Sequence, residues 1–142
     1  KTISKNLRIK EKILKKTIIL SYKKEFKSNK KLLNLAIRLK KLGYKIAILS
    51  DQWHFSKEAL IPLALAKRFD AVIVSSESGI RKPNPAIYKL VLKRLKIPAR
   101  ECLFIDNQQW NIAPAKKLGF KTILYKNNKQ LFQNKLWGGL FK

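Results

Sequence analysis

Four short hydrophobic runs recur along the chain and are rich in residues that favour β-strands. They read KIAILS (residues 45–50), AVIVS (71–75), CLFI (102–105) and KTILY (121–125). Such short apolar runs are typical of strands buried on both faces. Stretches with helical periodicity lie between them, at residues 56–68, 84–96 and 111–118. The strict alternation predicts an α/β fold, a Rossmann-like parallel sheet with helices on both faces and right-handed crossovers.

Local signals indicate where several helices begin and end. Apolar residues recur with helical spacing over residues 29–43, and Gly43 suits the cap at the end of that helix. In the 84–96 stretch, Asn84 is the predicted N-cap and Pro85 the first helical residue. In the 56–68 stretch, Ser56 is the predicted N-cap and Pro62 a local irregularity. The apolar face predicted for the 84–96 helix consists of Ile87, Val91, Leu92 and Leu95.

The two ends of the chain have weaker patterns. Before residue 29 the sequence reads as mixed helix, and although residues 17–20 also fit a strand, the helix is favoured. Residues 128–136 are predicted to form a terminal helix, followed by a loose tail at residues 137–142.

The chain carries 33 Lys and Arg against eight Asp and Glu, a net charge of +25. A field of this strength attracts polyanions. However, the lysines are spread over the whole length, and no arginine-rich stripe with interleaved aromatic residues marks a nucleic-acid surface. The charge therefore predicts nonspecific adhesion to polyanions at low salt rather than specific nucleic-acid recognition.

Composition also indicates the class of protein. No run of 18 or more apolar residues occurs, which predicts a soluble cytoplasmic protein without a membrane span. The single cysteine, Cys102, fits a reducing compartment and a place in the core. The chain contains no methionine and starts at Lys1, so we expect that residues upstream have been lost. The oligomeric state is not predicted.

Polar side chains that could take part in catalysis or binding lie at or after the ends of three of the predicted strands. Ser50 and Asp51 end the first, Lys82 follows the second, and Asp106 ends the third. In an open parallel sheet, ligands bind beyond the carboxyl ends of the strands. We therefore expect a hydroxyl, a lysine and a carboxylate at one edge of the sheet.

Each of these residues also has an ordinary structural explanation. Ser50 suits a turn, Lys82 a solvated surface and Asp106 a helix N-cap. Their joint occurrence, each after a predicted strand, favours the functional interpretation. The single histidine, His54, is instead favoured to pack or to cap a loop rather than to line a substrate pocket.

At these residues the sequence resembles the haloacid dehalogenase-like (HAD) superfamily of hydrolases, over roughly residues 29–131. The resemblance is carried by LSDQWH (49–54), SSESGIRKPNPAIY (75–88), LFIDN (103–107) followed by Asn111, and AKKLGFKTILY (115–125). It implies a phosphatase-type enzyme that transfers a phosphoryl group to an aspartate, with Mg2+ as cofactor and a small phosphorylated substrate.

The resemblance also implies residue roles. Ser50 would donate a hydrogen bond to a phosphoryl oxygen, and Lys82 would neutralise the nucleophile and the developing charge. Asp106 would bind Mg2+, and Asn107 and Asn111 would support that carboxylate or the metal waters. Ser50, Lys82 and Asp106 are thus the predicted catalytic residues.

Two positions depart from the common family pattern. Asp51 stands where relatives often carry asparagine, and it either hydrogen-bonds locally or contacts substrate beside Ser50 and Lys82. Asn107 replaces the second acid of the common double-aspartate form, which lowers the negative charge near the metal.

The family's first motif, DxDx(T/V), is missing, because none of the eight acids makes a DxD pair. In the family this motif follows a strand in the middle of the sheet, between those ending at Ser50 and Ile105. We therefore expect a truncated, inactive chain: a remnant of a helical cap at residues 1–29, a partial HAD core at 30–136 and a tail at 137–142. The alternative is a non-catalytic HAD-fold protein whose basic surface binds nucleic acid or another acidic partner. Complementation by a separate chain is less favoured.

Overall fold

The computed structural model describes residues 10–137, in which helices and strands alternate as predicted. The chain divides between Gly79 and Ile80 into two compact units. Each unit contains one two-stranded parallel sheet. The α/β class and the parallel pairing predicted from the alternating pattern are confirmed. Within residues 10–137, no helix combines the length and the apolar character needed to cross a membrane.

The first unit holds five helices and two strands among its described residues. In chain order they are α1 (Glu11–Glu25), α2 (Lys30–Lys41), β1 (Ala47–Ser50), α3 (His54–Leu60), α4 (Leu63–Ala66), β2 (Ala71–Val74) and α5 (Ser75–Ser78). The two strands pair from Ala47 with Ala71 to Ser50 with Val74, so both end at the same edge. Residues 17–20 lie inside α1, which confirms the helix and excludes the strand considered for them.

The start of α3 differs from the sequence prediction. Trp53, not Ser56, is the N-cap residue, and Ser56 lies three residues later. The buried Ser56 Oγ accepts a hydrogen bond from the Trp53 N–H (2.9 Å) and donates one to the Trp53 carbonyl (3.0 Å). The serine thus stabilises the helix start from within its first turn. Pro62 separates α3 from α4 and prevents one continuous helix, because proline cannot donate the backbone hydrogen bond.

Asp70 joins the beginnings of the two strands of the first unit. Its Oδ2 accepts a hydrogen bond from the Ile46 N–H at 2.8 Å, and its own N–H donates to the Ile46 carbonyl at 2.8 Å. The Lys40 ammonium lies 3.0 Å from its other carboxylate oxygen. The hydrogen bond from Ile46 and the nearby Lys40 charge lower the pKa of Asp70 below its ordinary value of 3.8, against a smaller opposing effect of burial.

We expect Asp70→Asn to lower the free energy of unfolding by about 1–2 kcal/mol at neutral pH, since a charged hydrogen-bond acceptor is lost. Because the folded-state pKa of Asp70 is lowered, its charge stabilises the fold above pH 3.8 and ceases to do so as the pH falls through the lowered pKa. Urea titrations at pH 7 and pH 3 measure this. The control is Glu101→Gln, at an exposed acid whose partner Arg100 is 3.8 Å away. An Asp70→Asn effect that is equally large at both pH values would contradict the assignment.

The second unit carries the remaining elements. They are α6 (Pro85–Leu95), a 3-10 turn (Ala99–Glu101), β3 (Leu103–Asp106), α7 (Gln109–Lys117), β4 (Lys121–Leu124), α8 (Asn128–Phe132) and a second 3-10 turn (Lys135–Trp137). The strands pair in parallel from Leu103 with Lys121 to Asp106 with Leu124. Asn84 caps α6 as predicted, since its side chain accepts a hydrogen bond from the Ala86 N–H.

An aromatic cluster forms part of the core of this unit. Tyr88, on α6, is fully buried and packs edge-to-face against Phe104 of β3 and Phe120. Of the face predicted for α6, residues Ile87, Val91 and Leu95 are buried and Leu92 is only half-buried. Tyr88 adds to that face, and its hydroxyl donates a hydrogen bond to the Asn111 carbonyl at 2.8 Å.

The end of the described chain is more ordered than the sequence pattern indicates. Trp137, the first residue of the predicted loose tail, is buried, and its indole N–H donates to the Leu131 carbonyl. The rest of that predicted tail lies outside the described residues.

Candidate functional site

A buried ion pair in the second unit joins two of the predicted catalytic residues. The Lys82 Nζ lies 2.6 Å from Asp106 Oδ2, and the two side chains are only 9% and 7% exposed. The ammonium also lies 6.0 Å from the centre of the Phe104 ring. Lys82 is therefore not one of the solvated surface lysines. Burying two charges costs free energy because both lose their contact with water, and apolar side chains of similar size are often at least as stable in such a place. A structural role alone therefore explains this buried pair poorly.

The other oxygen of the same carboxylate is held by the loop after β3. Asp106 Oδ1 accepts hydrogen bonds from the Gln108 N–H at 2.8 Å and from the Asn111 amide Nδ2 at 3.1 Å. The first of these bonds closes a short turn between the strand and α7, a geometry that aspartate favours. The N-cap of α7 is Gln108, so Asp106 is not the helix cap that the sequence left open as an alternative.

Asn111 has a buried side-chain oxygen without a hydrogen-bond partner, close to this carboxylate. The residue is buried, and its amide oxygen Oδ1 forms no hydrogen bond although its Nδ2 donates to Asp106. A buried acceptor without a partner costs about 1–3 kcal/mol. The Tyr88 hydroxyl fixes the backbone of the same residue. A fixed, unsatisfied amide oxygen next to a carboxylate is the kind of oxygen donor that Mg2+ takes.

The donors present fit a cation site with few carboxylates. Among residues 10–137, no group of three or more His, Cys, Asp and Glu side chains is placed to hold a metal ion. Asp106 and Asn111 together offer one carboxylate and one amide oxygen, which fits Mg2+ because that ion keeps several of its waters. Asn107, the third predicted metal residue, is exposed. Its role stays a prediction.

Ser50 lies in the first unit, with different partners. Its Oγ accepts a hydrogen bond from the Gln52 side-chain amide at 3.0 Å. The Gln52 N–H donates to the buried Ser75 Oγ at 3.0 Å, and that hydroxyl donates to the Gln52 carbonyl at 3.2 Å. The loop after β1 is thus fixed to the residue that follows β2. Neither Gln52 nor Ser75 was predicted as a functional residue.

The remaining predicted residues have less specific surroundings. Asp51 is half-buried in the loop after β1, and its contact with substrate stays a prediction. His54 is exposed and begins α3. Cys102 is buried as predicted, and burial raises the pKa of its thiol, which makes it a core residue rather than a nucleophile.

Comparison with known proteins assigns the family. The sequence profile of the haloacid dehalogenase-like hydrolases matches residues 10–119, which is more than half of the chain. The chain belongs to this family.

Several curated HAD relatives share about a third of the aligned residues. Glyceraldehyde 3-phosphate phosphatase of Pyrococcus abyssi is 35% identical over 99 residues, which cover 66% of this chain and 40% of that protein. Bifunctional epoxide hydrolase 2 of Sus scrofa is 35% identical over 108 residues, or 72% of this chain and 20% of that protein. (S)-2-haloacid dehalogenase 4A of Burkholderia cepacia is 32% identical over 87 residues, or 61% of this chain and 38% of that enzyme. The chain therefore spans two fifths or less of each of these relatives.

Solved structures agree on the HAD-like α/β fold. A dehalogenase crystal structure has a TM-score of 0.67 at 25% identity, covering 98% of this chain and 68% of that one. A HAD family enzyme from Bacteroides thetaiotaomicron, in complex with magnesium and inorganic phosphate, has a TM-score of 0.64 at 25% identity, covering 80% of this chain and 57% of that one. An uncharacterised protein from Corynebacterium glutamicum, at 20% identity and a TM-score of 0.69, shows the fold alone.

Proposed function

We propose that the protein containing these residues is a phosphatase-type HAD hydrolase that acts on a small phosphorylated substrate with Mg2+. The observation that carries the proposal is the buried Lys82–Asp106 pair, with the unsatisfied Asn111 amide oxygen beside its carboxylate. The relative from Pyrococcus abyssi that is named as a phosphatase, and the related structure in complex with magnesium and inorganic phosphate, support a phosphatase over a dehalogenase.

Lys82 and Ser50 have the chemistry that phosphoryl transfer requires. An anionic nucleophile and an anionic phosphate repel each other, and a cation desolvated by burial opposes that repulsion more strongly than one in water. Lys82 supplies such a cation. Ser50 supplies a hydroxyl at the carboxyl end of β1 that can donate to a phosphoryl oxygen.

Asp106 and Asn111 are the residues that would hold the metal. Bound there, Mg2+ would supply charge stabilisation to the phosphoryl group. Asp106 keeps its carboxylate in place through the Gln108 N–H and the Asn111 amide, so its orientation does not depend on the metal. Asn107 and Asp51 stay secondary candidates, for the metal waters and the substrate respectively.

On this proposal the nucleophile lies outside these 142 residues, because none of their eight acids forms a DxD pair. We accordingly propose that the 142-residue chain alone is inactive, with residues 1–29 a remnant of the cap and residues 30–136 a part of the core. The test is the reading frame of the full-length protein, in which we expect a DxDx(T/V) segment after an apolar strand. A full-length protein without one would refute the phosphatase assignment.

We expect Asn111→Asp to make the stability of the chain depend on Mg2+. The new carboxylate replaces an amide that now donates to Asp106 at 3.1 Å, so it adds a second negative charge that the single Lys82 ammonium beside Asp106 does not balance. Excess Mg2+ should then raise the free energy of unfolding of the variant by about 1–2 kcal/mol relative to EDTA, and that of the unchanged chain by less. Thermal denaturation measures both.

The matched control for that experiment is Asn34→Asp, on the exposed surface of α2. It adds the same charge away from Asp106, so Mg2+ should have little effect on its melting. Equal responses of the two variants to Mg2+ would indicate general charge screening and would contradict a cation site at Asp106 and Asn111.

The net charge of +25 favours one second candidate, a non-catalytic HAD-fold protein that binds nucleic acid or another acidic partner. Phosphate release separates the two, since a pure binding protein releases none.

A further inference from the structure

The hydrogen bond between Gln52 and Ser50 determines where the serine proton can go. A serine hydroxyl has one donor and two acceptor lone pairs. The Gln52 amide Nε2 donates into one of these lone pairs at 3.0 Å, so the Ser50 proton is directed away from Gln52. Within residues 10–137, no acceptor takes that proton. Ser50 therefore has a donor available for a ligand.

Gln52 is itself held from two sides by a buried residue. Its N–H donates to the Ser75 Oγ at 3.0 Å, and its carbonyl accepts from the same hydroxyl at 3.2 Å. Ser75 directly follows Val74, which pairs with Ser50 in the sheet. Both backbone groups of residue 52 are thus fixed to the residue that follows the neighbouring strand. Little further ordering is needed when the side chain acts on Ser50.

We infer that Gln52 is a positioning residue that orients the Ser50 hydroxyl as a hydrogen-bond donor to the phosphoryl group of the substrate. The inference rests on the proposed phosphatase function and adds to it the residue that sets the direction of the Ser50 proton. On this inference Gln52 acts through its hydrogen bond to Ser50 and not by contact with the substrate. Its amide occupies one acceptor lone pair of the hydroxyl and thereby directs the proton away from Gln52, toward the ligand.

Two substitutions of Gln52 change the direction of its hydrogen bond with Ser50 in different ways. Gln52→Glu has nearly the same shape, but its carboxylate only accepts hydrogen bonds. The Ser50 hydroxyl would therefore donate to the new carboxylate instead of to the ligand. Gln52→Met removes the amide without adding charge, which leaves the hydroxyl free to rotate. We therefore expect a large loss of phosphoryl binding and turnover for the first variant and a small one for the second.

The experiment measures kcat/KM of the full-length protein for p-nitrophenyl phosphate with Mg2+. We expect Gln52→Glu to lower kcat/KM by about tenfold or more, and Gln52→Met by about threefold, because one charge-assisted hydrogen bond is lost or weakened. In a Ser50→Ala background, Gln52→Met should have no further effect, and the effect of Gln52→Glu should shrink to its charge contribution. Such coupling between the two positions distinguishes positioning from a structural role.

The controls keep the outcomes distinct. Gln133→Glu adds the same charge at an exposed residue after α8 and should leave kcat/KM unchanged. Thermal denaturation checks folding, and if Gln52→Glu does not fold, the coupling of Gln52→Met with Ser50→Ala decides. Equal losses in the Ser50 and Ser50→Ala backgrounds would overturn the inference while the proposed function stands. An inactive full-length protein would overturn the proposed function, and the inference with it.

Discussion

Replacing Lys82 by methionine should lower the free energy of unfolding of the chain by about 3–5 kcal/mol, the largest effect on stability that we expect from one substitution. Both side chains of the Lys82–Asp106 pair are less than a tenth exposed, so removing the cation leaves an unpaired carboxylate with little access to water. The Gln108 N–H and the Asn111 amide remain as donors to Asp106, but neither carries a charge. Since domains of this size are stable by about 5–15 kcal/mol, urea denaturation should resolve the loss easily.

A second ion pair provides the comparison. Lys57 pairs with Glu77 on the surface of the first unit, where both side chains remain much more exposed. Lys57→Met should therefore cost less than about 1 kcal/mol. The double variant Lys82→Met with Asp106→Asn should be more stable than the sum of the two single losses predicts, because no buried charge remains. If Lys82→Met lowers the free energy of unfolding no more than Lys57→Met does, the result would contradict the burial of the Lys82–Asp106 pair.

The largest effect on activity is expected for Asp106→Asn in the full-length protein. The substitution retains the shape of the side chain but removes the only carboxylate of the proposed cation site. We expect kcat for a phosphomonoester to fall by about three orders of magnitude, since several kcal/mol of charge stabilisation is lost. The control is Glu101→Gln, an exposed acid in the 3-10 turn before β3, which should retain full activity. An Asp106→Asn variant that folds and retains most of its turnover would remove Asp106 from the mechanism.

Much of the fold is predictable because its signals are local. The four apolar runs correspond to the four strands found within residues 10–137, each within a few residues of the predicted bounds. Asn84 and Pro85 marked the start of α6 correctly, since capping chemistry depends on residues close together in the chain. Asp106 was identifiable because it follows an apolar strand and belongs to a family motif. Its ion pair with Lys82 was not predicted, because the resemblance implied separate roles for the two residues.

The contacts that sequence could not reveal join residues far apart in the chain or reverse a local preference. Ser75 holds Gln52 across 23 positions, and only the register of β1 with β2 brings them together. Ser56 was expected to begin α3, but it stabilises the helix from inside the first turn while Trp53 takes the cap position. The unsatisfied Asn111 oxygen is likewise a property of packing, since its burial depends on the surrounding helix and strand.

The central claim is that these residues serve Mg2+-dependent phosphoryl transfer. Phosphate release from p-nitrophenyl phosphate by the purified full-length protein, in Mg2+ and then in EDTA, tests it most directly. We predict steady release in Mg2+ that stops in EDTA and returns when Mg2+ is restored. A full-length protein that releases no phosphate in Mg2+, or releases it equally fast in EDTA, would contradict the claim.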